Sequence, residues 1–99
     1  MSGQSVRYAP SPTGGLHIGN LRTAWVASHL AQHFDFKLVC RFENMDPLRS
    51  KEEYIDQQKQ DLKHLGLSFD EFELQSNNYS RHLDYFQRAR KAGFIYPCF

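Results

Sequence analysis

The stretch Arg7-Tyr8-Ala9-Pro10-Ser11-Pro12-Thr13-Gly14-Gly15-Leu16-His17-Ile18-Gly19-Asn20 decides how this chain folds. Just before its prolines, residues 5–9 (SVRYA) mix β-branched and aromatic side chains and predict a strand. Pro10, Pro12, Gly14 and Gly15 then break both helix and sheet, because proline has no amide hydrogen and glycine gives the backbone no restraint. After Asn20 the pattern turns helical. Leu21, Ala24, Trp25 and Ser28 fall on one helical face, with Val26, Leu30 and Phe34 close to another, so a helix over 21–34 is expected, apolar on two sides and largely buried. Free backbone N–H groups and a helix start, meeting in a Gly-containing loop after a strand, suit the phosphates of a nucleotide.

Working outward, residues 36–42 (FKLVCRF) are a short apolar run of strand formers and predict a second strand. Ser50-Lys51-Glu52-Glu53 fits a capping box and opens a helix over 51–65, with Tyr54, Ile55, Gln58, Leu62 and Leu65 at helical spacing and Gly66 as its stop. Residues 67–74 mix apolar and acidic side chains and predict a turn with one short extended piece. A third helix over 79–92 starts near Asn77 or Asn78, carries Tyr79, Leu83, Phe86 and Ala89 on one face, and ends at Gly93. A last strand is expected at 94–96. Strands alternating with helices through short connections define the α/β class, a parallel sheet flanked by helices.

Composition narrows the function. A chain of 99 residues, 40% hydrophobic and 23% charged, makes one soluble globular unit with a modest core. Its net charge of +1 offers no global field for binding nucleic acid, so any RNA contact must be local. Cys40 and Cys98 lie too far apart in sequence to make a metal site alone. With no apolar leader, reduced thiols in a cytoplasm are the natural reading, and no apolar run approaches the ~18–20 residues a membrane span needs.

The loop matches neither G-x-G-x-x-G nor the G-x-x-x-x-G-K-[ST] phosphate loop. Arg7 to Ala24 instead resembles the signature of glutamyl-tRNA synthetases and their tRNA-modifying paralogues. Within it, His17-Ile18-Gly19-Asn20 stands where class I synthetases carry the motif written HIGH. Arg41-Phe42-Glu43-Asn44-Met45-Asp46-Pro47-Leu48-Arg49 resembles the family's R-[IF]-E-D-T-D-x-x-R, and Leu65-Gly66-Leu67, Gln75-Ser76 and residues 93–98 fall on further family elements. The resemblance implies the N-terminal half of a Rossmann-like domain that activates glutamate with ATP and Mg2+ and transfers it to tRNA. It places ATP on Pro10, Thr13, Gly14, His17, Gly19 and Asn20, with His17 and Asn20 as the catalytic signature. It places glutamate on Arg7, which reads the side-chain carboxylate, and on Glu43 and Ser11 at the ammonium.

Asn44 and Met45 depart from the family's Asp and Thr, which puts a charge-dependent role there in doubt. Asp46 and Arg49 fit either a local charge pair or a substrate contact. Cys98 resembles the first cysteine of a structural zinc site that only a longer chain could complete. The second signature, written KMSKS, and the acceptor-stem insertion lie beyond these residues, so 1–99 is expected to be a partial catalytic domain, inactive alone and prone to self-association through an exposed sheet edge. The competing reading is a non-catalytic nucleotide-binding or interaction module; a dehydrogenase half is disfavoured by the missing glycine pattern.

Overall fold

β1 (Ser5–Tyr8), β2 (Lys37–Phe42) and β3 (Glu71–Leu74) form one parallel sheet in the order β1-β2-β3. α1 (Ile18–Phe34) and α2 (Glu52–His64) supply the crossovers, and a 3-10 turn (Gln75–Asn78) leads into α3 (Tyr79–Lys91). The computed structural model describes residues 3–99. Tyr8 pairs with Cys40, and Cys40 with Phe72, so alternate residues of all three strands share a face.

One face carries the core. Tyr8, Leu38, Cys40 and Phe42 pack beneath Ala24, Ala27 and Ala31 of α1 and Ile55 and Leu62 of α2. The alanine stripe lets α1 lie close to the sheet, but it corrects the expectation of a helix largely buried on two sides. Trp25, Val26, Leu30 and Phe34 stay 42–53% exposed, because among the described residues no other strand or helix covers them and only Phe36 stacks on Phe34. The opposite sheet face is charged: Arg7, Lys37, Val39, Arg41, Glu71 and Glu73 line an open depression of about 360 Å³, with Lys37 paired to Glu71.

All three helices end the same way. One residue at each end sits in the left-handed region, Asp35 as the cap of α1 and Gly66 and Gly93 just after the caps of α2 and α3, and two backbone bonds close the last turn. At α2 these are Gly66 N–H to Lys63 O at 3.0 Å and Leu67 N–H to Leu62 O at 3.1 Å; at α3, Gly93 N–H to Arg90 O at 3.1 Å and Phe94 N–H to Ala89 O at 3.0 Å.

Three expectations change. The extended piece within 67–74 is a full sheet member, β3, anchored where Asp70 accepts from Leu38 N–H at 2.7 Å and returns its own N–H to Leu38 O at 2.9 Å. Residues 94–96 form no strand: Phe94 N–H is committed to the α3 terminus, and Phe94 and Tyr96 are 82% and 78% exposed. The Ser50 capping box does not form. Ser50 N–H closes a turn onto Asp46 O at 2.9 Å, which moves the cap to Lys51, and the Ser50 hydroxyl is buried without a partner.

Candidate functional site

The loop after β1 is held by its carbonyls. Pro10 O accepts from Glu43 N–H at 2.9 Å and Pro12 O from Lys51 N–H at 3.2 Å, while Ser11 O and Gly14 O both accept from the Gln58 side-chain amide, at 3.2 and 2.8 Å. With these oxygens tied to β2 and α2, the backbone N–H groups of Ser11, Thr13, Gly14, Gly15 and Leu16 have no partner among the described residues. Unpaired N–H groups close to a helix N-terminus suit an anion. They border a cleft of about 430 Å³, walled also by Tyr8, His17, Asn20, Thr23 and Gln58.

α1 starts earlier than its periodicity suggests, at Ile18, because His17 and Asn20 cap it reciprocally. His17 Nδ1 accepts from Gly19 N–H at 3.0 Å, and Asn20 Oδ1 accepts from His17 N–H at 3.1 Å. An acceptor at Nδ1 leaves the neutral ring with its hydrogen on Nε2, so the cap sets the tautomer that donates. Asn20 keeps its amide N–H2 for a ligand. Gly19 does not line the cleft; a Cβ there would lie 2.9 Å from His17 Cε1, so a side chain would push the ring out of its cap.

Arg7 and Glu43 meet on the other sheet face. Arg7 Nη1 stands 3.8 Å and Arg41 Nη2 3.3 Å from the same Glu43 oxygen, Oε1. Two guanidiniums share this one carboxylate at the carboxyl end of the strands, where open α/β sheets bind ligands, and Glu73, the register partner of Arg41, balances the second of them. The structure thus divides the expected residues. Pro10, Ser11, Thr13, Gly14, His17 and Asn20 line the loop cleft, and Arg7 pairs with Glu43 apart from them, with Ser11 on the cleft side.

Asn44 keeps a tight link. Its Oδ1 accepts from Ser76 N–H and its Nδ2 donates to Ser76 Oγ, both at 2.9 Å. A carboxylate could accept from both Ser76 groups, so the change from Asp preserves the clamp and loses only the charge. Asp46 braces its turn through Leu48 N–H at 3.1 Å, and no Asp46–Arg49 ion pair occurs among the described residues. Cys98 is exposed, and the described residues contain no group of three or more His, Cys, Asp or Glu able to hold a metal. Among the described residues no helix is long and apolar enough to cross a membrane.

Sequence reasoning missed Gln58, Tyr8 and Arg41 as site residues. A signal existed for Gln58: an amide between Ile55 and Leu62 on a core-facing stripe is costly unless it is hydrogen-bonded. Tyr8 lies in the cleft wall with its hydroxyl unpartnered, and burial, with Cys40 adding to it, pushes its pKa up to about 12.

A parallel sheet with helical crossovers, and a glycine-containing loop that leads from its first strand into a self-capped helix, define the Rossmann-like α/β architecture. Residues 5–99 match the catalytic domain of class I tRNA synthetases (E and Q), and the chain belongs to that family. It is 44% identical over 99 residues to a glutamate–tRNA ligase of Aquifex aeolicus, covering 100% of this chain and 21% of that protein. It is likewise 44% identical over 93 residues to glutamate–tRNA ligase 2 of Ehrlichia canis, covering 94% of this chain and 21% of that one. A crystal structure of a glutamate tRNA ligase from Elizabethkingia meningosepticum, in complex with its amino acid, superposes with a TM-score of 0.84 at 28% identity. It covers 91% of this chain and 20% of its own. The chain therefore spans about a fifth of the length of the curated relatives it matches.

Proposed function

We propose that this chain supplies the N-terminal part of a glutamate–tRNA ligase catalytic domain, binding ATP at the loop of residues 10–20 and glutamate beside Arg7 and Glu43. The five unpartnered loop N–H groups carry the reading, because nothing among the described residues uses them. In the reaction, the α-carboxylate of glutamate attacks the α-phosphate of ATP, forming glutamyl-adenylate and releasing pyrophosphate; the glutamyl group then passes to tRNA. The loop N–H groups, His17 Nε2–H and the α1 N-terminus donate to phosphate oxygens on which charge develops. Arg7 offers its fork to the side-chain carboxylate, and Glu43 offers its carboxylate to the ammonium. Mg2+ would arrive on the phosphates rather than in a cage of protein ligands.

The cap provides a clean test. His17→Asn keeps a good N-cap but removes the ring donor, whereas His17→Ala removes both. Titration with ATP should show both variants binding about 10- to 100-fold more weakly, the worth of one hydrogen bond to a charged group. Only His17→Ala should also lose about 1 kcal/mol of stability. Unchanged ATP affinity in His17→Asn would remove the ring from the phosphate site.

A further inference from the structure

We infer that Gln58 is the positioning residue of the phosphate loop: its side-chain amide, donated from α2, pins the Ser11 carbonyl and sets the 14–15 peptide plane so that Gly15 N–H faces the cleft. The inference rests on the nucleotide reading above. Gln58 is 1% exposed and sits on the helix stripe that otherwise carries Ile55 and Leu62. One nitrogen, Nε2, serves two acceptors, Ser11 O at 3.2 Å and Gly14 O at 2.8 Å, so each of its hydrogens has a carbonyl. Two carbonyl oxygens around one end of the amide also fix which end is nitrogen, since Oε1 in that place would be repelled.

Across a planar trans peptide the N–H points opposite to the C=O. Drawing Gly14 O toward α2 therefore turns Gly15 N–H away from it, and Gly15 is one of the residues lining the cleft. Gly14 and Gly15 have no side chain to settle this orientation, and a Cβ at Gly14 would meet nothing within 4 Å. The direction of the 14–15 peptide is thus imposed from outside the loop, by Gln58. Pro10 O and Pro12 O are held by backbone donors that no side-chain change can remove. Among the described residues, Gln58 is the one side chain that donates to the carbonyls of residues 9–16.

Titration of ATP, tripolyphosphate and adenosine into the chain and into Gln58→Met tests this, with Gln60→Met, at an exposed glutamine of the same helix, as control. Methionine keeps the volume and helix propensity of the site and removes both donors together with the unpartnered Oε1. Gln58→Met should lose at least about tenfold in affinity for ATP and tripolyphosphate, with adenosine binding and the control unchanged. Should Gln58→Met not fold, Gln58→Glu repeats the test with the same shape and one donor atom exchanged for an acceptor. ATP binding equal to wild type in a folded variant overturns the positioning role and leaves the nucleotide reading standing. An equal loss for all three probes, or failure of both variants to fold, assigns Gln58 to the core and also overturns it. Wild-type chain that binds neither ATP nor tripolyphosphate overturns both readings.

Discussion

At Tyr8 and Cys40 the core holds two acidic protons that burial makes hard to remove. Tyr8 is pushed up to about 12 by burial, with a smaller contribution from Cys40; Cys40 is also raised to about 12 by burial, slightly offset by Lys59. Both folded values lie above those of the unfolded chain, near 10 for tyrosine and 8.5 for cysteine. Below pH ~8.5 neither state ionises and stability is independent of these groups. As pH rises through ~8.5–12 the unfolded chain releases protons that the folded one keeps, so stability falls. Melting temperature should be flat from neutral pH to about 8.5 and decline above it, and Cys40→Ala should delay the onset toward the tyrosine range. Tyr8→Phe removes a buried hydroxyl that has no partner, so at neutral pH it should leave the melting temperature unchanged or raise it. A large drop on thermal denaturation would show that the hydroxyl is paired in solution.

The shared helix terminus sets the element boundaries. Gly66 holds φ at 81° and a Cβ there would meet nothing within 4 Å, so Gly66→Ala costs only the left-handed backbone conformation. Chemical denaturation should report a loss of about 1–2 kcal/mol, with no change in the structure of the core. Glycine stops are legible from residue type alone, which is why the ends of α2 and α3 agree with expectation to within a residue or so. The starts were harder to read. His17 is no standard cap, and its pairing with Asn20 shows only once the ring is seen folded onto Gly19 N–H; Ser50 looked like a cap until Asp46 took its amide. β3 was obscured because Glu71 and Glu73 belong to a charged sheet face, where a buried parallel strand would read as continuously apolar. In the site, the loop residues were legible as one contiguous stretch, whereas Gln58 reaches them from 44 and 47 residues away. Spacing along the chain carries no record of that contact.

As a whole, the molecule is extended, with a radius of gyration of 16.2 Å where about 13 Å is usual for this length. α3 buries none of its residues, and Leu83 and Phe86 are each 45% exposed. Together with the Trp25–Phe34 face of α1 and the unpaired outer edge of β1, this leaves apolar surface and strand edge open to another chain. We expect the isolated chain to self-associate with rising concentration in sedimentation velocity, and Trp25→Glu with Phe34→Glu to reduce it; a monomer throughout would refute this. The long reach of Gln58 also sets an order of events. A loop at residues 10–14 that depends on donors at 43, 51 and 58 cannot adopt its final shape when β1 and α1 first form. It must wait for closures spanning more than thirty residues, each slowed by the entropy of the intervening chain. Capture of a phosphate would then mark the moment at which α2 docks, and ATP would act on the nascent chain as a latch for its last crossover rather than as a seed for its first.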